Sequence, residues 1–172
     1  MIITIGGLAG SGTTTAAEVL SNKIDIPFIS TGSIFRDMAK ERGMSVIEFS
    51  KYAENNTDID IEIDKKQVEL ANNSENLIIE GRLSAYFIEA DLKVWLTAPF
   101  DVRANRICNR ESKSEHLATR EIKIREESEA LRYLDIHNID INNLDIYDLL
   151  INTDRFNPEC IAEIIFTTLK VI

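Results

Sequence analysis

The chain has 172 residues and carries 19 Lys and Arg against 29 Asp and Glu, for a formal net charge of −10. That length suits one compact domain, 44% hydrophobic residues provide for a real core, and the acidic balance argues against general nucleic-acid binding, because such a chain repels a phosphate backbone at long range. No apolar run approaches the roughly 18 residues of a membrane span, and Met1 to Gly7 lacks a basic n-region, so neither a membrane anchor nor a signal peptide is expected.

Apolar runs of strand length alternate with longer periodic segments, the pattern of a parallel sheet with crossover helices. Residues 2 to 6 form the first strand, rich in β-branched side chains, and a helix follows from Thr14 to about Lys23. Ile26 to Ile29 reads as a short strand, with Pro27 marking a sheet edge or strand start. Helices are predicted over 33–42 and 45–54, broken at Gly43, and over 59–72, where alternating isoleucines compete with a strand reading. Leu77 to Glu80 and Lys93 to Thr97 are buried strands, 101–110 and about 115–134 are helices, and Leu149 to Asn152 is the fifth strand. A last helix starts after Asn157 as cap, with Pro158 at its first position. The expected fold is therefore α/β, a doubly wound five-stranded parallel sheet with helices on both faces, in a single domain spanning 1–172.

Gly7-Leu8-Ala9-Gly10-Ser11-Gly12-Thr13-Thr14 lies between the first strand and its helix, followed by Thr15. In that context glycines let backbone N–H groups close on an anion, and the helix N-terminus adds partial positive charge, so the loop is a candidate phosphate cradle. The Thr14 hydroxyl stands where such loops ligate Mg²⁺, whereas Thr13 occupies the position of the usual lysine. A glycine-rich turn that merely closes a βα unit is the plainer alternative.

Two further segments end strands at the same carboxyl edge of the sheet. Thr31, Ser33 and Arg36 follow the second strand, and Glu80-Gly81-Arg82 closes the third. Arg36 and Arg82 can grip phosphate bidentately, and Glu80 can hold Mg²⁺ directly or through water. Six of the ten arginines fall within residues 101–132, a window with 8 basic and 7 acidic residues in an otherwise acidic chain. Positioned arginines stabilise the charge that spreads over oxygens in phosphoryl transfer; solvated helix pairs such as Glu121 with Arg125 are the competing explanation. His116 and His137 lack ligand spacing and read as surface residues, while Cys108 and Cys160 match no metal or redox spacing and read as small core residues of a reduced protein.

The order of phosphate loop, Thr-Gly-Ser-Ile-Phe-Arg, Glu-Gly-Arg and arginine segment resembles the P-loop nucleoside monophosphate kinases. It is most similar to the short archaeal-type cytidylate kinases, whose loop reads Gly-Ser-Gly-Thr-Thr-Thr, as at Gly10 to Thr15; Arg125 to Tyr133 and Ile146 to Thr153 also match that group's pattern. The resemblance implies a fold of P-loop kinase type with a core (1–30, 77–100, 146–172), acceptor-binding helices (about 31–76) and a lid (about 101–135). It implies transfer of the ATP γ-phosphate to CMP or dCMP with Mg²⁺. The acidic charge and the absence of a signal peptide or membrane span lead us to expect a cytoplasmic monomer that binds neither nucleic acid nor membrane. By position, Gly7 to Thr15 would bind ATP, Thr14 and Glu80 would serve Mg²⁺, Thr31, Ser33, Arg36 and Arg82 would hold the acceptor, and Arg106, Arg110, Arg125 and Arg132 would be lid candidates. An AMP or UMP kinase of the same fold, or a non-catalytic ATP-binding regulator suggested by Thr13, are the alternatives. Bacterial cytidylate kinases follow Gly-Arg with an aspartate that helps read cytosine, whereas this chain has Leu83, and His137-Asn138 stands in place of an expected Tyr-Gly.

Overall fold

The computed structural model describes residues 1–172. Five strands form one all-parallel sheet: β1 (Ile2–Gly7), β2 (Phe28–Ser30), β3 (Leu77–Glu80), β4 (Leu92–Thr97) and β5 (Leu149–Asn152), in the order β2-β3-β1-β4-β5. β2 is an edge strand, as Pro27 suggested. Strand alternation divides the apolar side chains between the two sheet faces. Ile3, Ile5, Ile78, Val94 and Leu96 pack with Ala16, Ala17 and Leu20 of α1 (Thr13–Ile24) and with Ile161 and Ile165 of the final helix (Pro158–Thr168). Leu77 and Ile79 face the opposite way, with Ala71 and Ile88.

The predicted helices form with small shifts of boundary. α2 (Thr31–Glu41), α3 (Val46–Glu54) and α4 (Asp58–Asn72) share a core of Phe35, Ala39, Phe49, Ala53, Ile59 and Ile63. A reciprocal capping box at Ser45 and Glu48 starts α3. The helical reading of 59–72 holds because Ile59 and Ile63, four residues apart, share one helix face and turn inward, while Ile61 lies off that face. A four-residue helix, α5 (Ser84–Phe87), is too short to leave a periodic signal.

α6 (Phe100–Glu111) and α7 (Glu115–His137) follow β4, and the last helix is α8 (Pro158–Thr168), capped by Asn157 as expected. The first half of α7 packs Ala118 and Ile122 on Ala104 and Ile107 of α6. Its second half instead buries Ser128, Glu129 and Arg132, so the helix has a charged inner face in place of an apolar stripe. Asn138 ends α7 at φ 55, a left-handed conformation that asparagine tolerates, which accounts for its standing where glycine was expected.

Three sequence readings are corrected by packing. Cys160 is exposed on α8, and Cys108 is only partly buried, its thiol turned to the Lys113 carbonyl. His137 is not a surface residue: its ring packs edge-on against Phe87 and its Nε2 lies 2.9 Å from Asp64 Oδ2. Glu121 pairs with Lys113, while Arg125 turns to Glu129. No helix is long and apolar enough to cross a membrane.

Candidate active site

The carboxyl ends of β1, β2 and β3 open onto one cavity of about 650 Å³. The loop from Gly7 to Gly12 joins β1 to α1, with Gly10 at φ 81 and Gly12 at φ 91. No side chain caps the start of α1, so its first N–H groups are free to meet an anion. A Cβ on Gly10 would lie 2.6 Å from the Arg103 carbonyl oxygen, so this turn needs glycine for space as well as for φ. Ser11 alone of Gly7 to Thr15 turns away from the cavity and is fully buried.

Two arginines of α6 hold the loop, and Arg106 also lines the cavity. Arg103 donates to the carbonyls of Ala9 (2.9 Å) and Ala98 (3.2 Å) and pairs with Glu126. Arg106 donates to Gly10 O at 3.3 Å and, at 2.8 Å each, to Thr153 Oγ1 and Thr153 O; the Thr153 hydroxyl in turn donates to Ser11 O at 2.8 Å. Arg103 and Thr153 carry this tether without having been singled out from sequence. The arginine cluster was the available signal, but spacing does not separate an arginine under a loop from one in a cavity.

Glu80 gathers the hydroxyls around the loop's exit. Thr13 Oγ1 donates to Oε1 at 2.7 Å, Thr14 Oγ1 reaches Oε2 at 3.3 Å, and Ser30 Oγ also donates to Oε2. Thr13, in the lysine position, thus points to Glu80. Thr31 donates to the Glu80 carbonyl at 3.2 Å, and a Cβ on Gly81 would overlap Thr31 Oγ1, which explains the glycine between Glu80 and Arg82. Ser33 does not line the cavity; its hydroxyl closes back on the Ser30 carbonyl at 2.7 Å and its N–H is capped by Ser30.

The far arm is roofed by α7. Glu129, 4% exposed, binds Arg82 through Oε2 and Arg125 through Oε1, the latter at 2.9 Å. One turn on, Arg132 Nε donates to Asp60 Oδ2 at 2.8 Å and its Nη1 to Ser128 Oγ at 2.7 Å. Burial, with Arg82, Arg36 and Arg110 nearby, pushes Arg125 down to about 9, and burial lowers Arg82 as well. Arg36 and Arg110 stay exposed at the cavity's margin. Seven arginines and five carboxylates line the cavity, a net positive lining in a chain of net charge −10.

Residues 2–155 match the Cytidylate kinase-like family. The chain belongs to that family. A cytidylate kinase of Methanobrevibacter smithii is 74% identical over 172 residues, spanning 100% of each chain. One from Methanothermobacter thermautotrophicus is 59% identical over 159 residues, which is 92% of this chain and 99% of its own. Among solved structures, a deoxyadenosine kinase from M. mycoides with bound dATP superposes with a TM-score of 0.59 at 16% identity, covering 99% of this chain and 100% of that one. A shikimate kinase from Aquifex aeolicus gives 0.55 at 21% identity, with 99% and 96% covered. These two likenesses show that the fold is shared.

Proposed function

We propose that this cytidylate kinase-like protein transfers the γ-phosphoryl group of ATP to CMP or dCMP, giving ADP and CDP or dCDP. The observation that carries the reading is a single cavity lined both by the uncapped loop at the start of α1 and by the arginines of α7. An acceptor phosphate oxygen attacks the γ-phosphorus as the bond from that phosphorus to the β,γ-bridging oxygen breaks, and the electron pair leaves with ADP. The acceptor oxygen is already anionic near neutral pH, so the chain need supply no strong base.

The loop N–H groups from Gly7 to Thr15 hold the donor phosphates, and Arg106 with Thr153 fixes the loop's position. Thr31, Arg36 and Arg82 face the acceptor phosphate. Arg125 and Arg132 are the cations best placed to exchange Glu129 and Asp60 for substrate oxygens as the roof settles; Arg110 joins from the margin. This exchange supplies the charge that Thr13 does not.

Thr14 and Glu80 form an all-oxygen set that fits Mg²⁺. When bound there, Mg²⁺ would neutralise charge on the β and γ oxygens. Glu80, already held by three hydroxyls, keeps its orientation whether or not it carries that load. The decisive experiment is ADP release at fixed ATP across CMP, dCMP, UMP and AMP. Preference for CMP or dCMP is expected. Preference for AMP or UMP would reassign the acceptor, and tight ATP binding with no turnover of any monophosphate would make the protein a regulator.

A further inference from the structure

Beyond the arginines the acceptor arm ends on a wall that phosphate binding does not explain. Asp60, Asp64 and Gln67 occur at i, i+4 and i+7 of α4 and all line the cavity. Asp60 is 6% and Gln67 2% exposed, and burying two carboxylates and an amide on one helix face is costly unless they meet partners. Leu83, beside them, brings no polar side chain.

The partners present leave specific valences open. Gln67 Oε1 accepts from Ser84 Oγ at 2.7 Å, and one Nε2 hydrogen goes to Asp64 Oδ1 at 2.8 Å. The amide is thereby fixed against a flip, and its second hydrogen has no partner. Asp60 gives Oδ2 to Arg132 and leaves Oδ1 without a hydrogen bond. Asp64 Oδ2 is buried with no well-aligned donor, although His137 Nε2 stands 2.9 Å behind it.

We propose that this face reads the acceptor's base: the carboxylates of Asp60 and Asp64 accept from an exocyclic amino group, and Gln67 donates its free amide hydrogen to the adjacent unprotonated ring nitrogen. The inference rests on the CMP reading above and names the residues that give it specificity. Cytosine presents that amino group beside an acceptor nitrogen. Uracil puts a carbonyl and a ring N–H in the same places, so both contacts reverse polarity and leave buried groups unpaired. Burial and the charge of Asp60 push Asp64 up to about 7, and an amino group placed between the two carboxylates relieves that repulsion. Adenine shares the amino and ring-nitrogen pattern, so polarity alone discriminates against uracil and leaves exclusion of purines to size.

The test is kcat/KM for CMP, UMP and AMP in the wild type, Asp64→Asn and Gln67→Glu, with thermal midpoints as the check on folding. Each variant inverts one contact, so the CMP to UMP ratio should fall about 10- to 100-fold, partly through a gain on UMP that a merely structural lesion cannot give. Equilibrium binding of CMP and UMP gives the same ratio for a folded variant with weak turnover. A wild type that favours CMP together with two folded variants whose ratio is unchanged, or whose CMP and UMP rates fall equally, overturns the base-reading wall. A wild type that favours UMP or AMP overturns the CMP reading instead.

Discussion

Glu129→Gln removes one negative charge from between two guanidiniums while keeping the side chain's shape. In the native protein both Glu129 oxygens are engaged, one by Arg82 and one by Arg125, and the three side chains are 6%, 11% and 20% exposed. Removing one member of a buried pair costs about 3–5 kcal/mol, since the partner charge is left uncompensated. The retained amide oxygen and the residual exposure of Arg125 reduce this to about 2–3 kcal/mol, a fall in the thermal midpoint of roughly 5–10 °C for a chain of this size. Acceptor phosphate would restore the missing charge. CMP at about 100 times its Kd adds about 2.7 kcal/mol to any protein that binds it. The variant should gain more than the wild type at a matched CMP concentration, because its arginines no longer have to release a carboxylate. Thermal unfolding with and without CMP, with inorganic phosphate as a second anion, measures both effects. A variant that melts with the wild type without ligand, or a deficit that neither anion narrows, would refute the role of Glu129 as a stand-in for substrate charge.

Three other outcomes follow from the site. Glu80→Gln should lower kcat by about 100-fold with an unfolding midpoint near that of the wild type, and retained turnover would remove Glu80 from the chemistry. Gly10→Ala, forced to φ 81 and against the Arg103 carbonyl, should cost about 1–2 kcal/mol and raise KM for ATP more than KM for CMP; equal KM values would mean the loop tolerates the methyl group. Asp64 is raised from 3.8 to about 7 in the native protein, so between those values the native state binds more protons than the unfolded one and the contribution of this residue to stability falls as pH rises. Asp64→Asn removes that slope, and denaturant unfolding from pH 5 to 8 should show the variant gaining on the wild type by up to about 2.7 kcal/mol before levelling above pH 7. A gap between the two proteins that is independent of pH would contradict the shift in Asp64.

Five parallel strands, the phosphate loop and the acceptor and arginine motifs are legible along the chain because each is local. β-branched runs bounded by turn residues mark the strands, and glycine spacing between a strand and a helix marks the anion cradle. The family signal is local in the same sense, carried by short segments in a fixed order. What escaped is pairing across distance. Ser11 and Ser33, read as ligand-facing, turn their hydroxyls elsewhere, because a residue's side of a loop depends on what packs behind it.

Sequence by itself thus determined the sheet, its order of functional segments and the chemistry they suit. Tertiary structure decided the partners of each charge: Arg103 under the loop, Arg106 on Thr153, Arg82 and Arg125 on Glu129, and Arg132 on Asp60. It also brought Asp60, Asp64 and Gln67 to the wall of the same cavity, where no motif had pointed. The physical reason is range. Backbone preference and hydrophobic period act over a few residues, whereas a buried charge is settled by whichever opposite charge the fold delivers to within 3 Å or so, often from more than forty residues away.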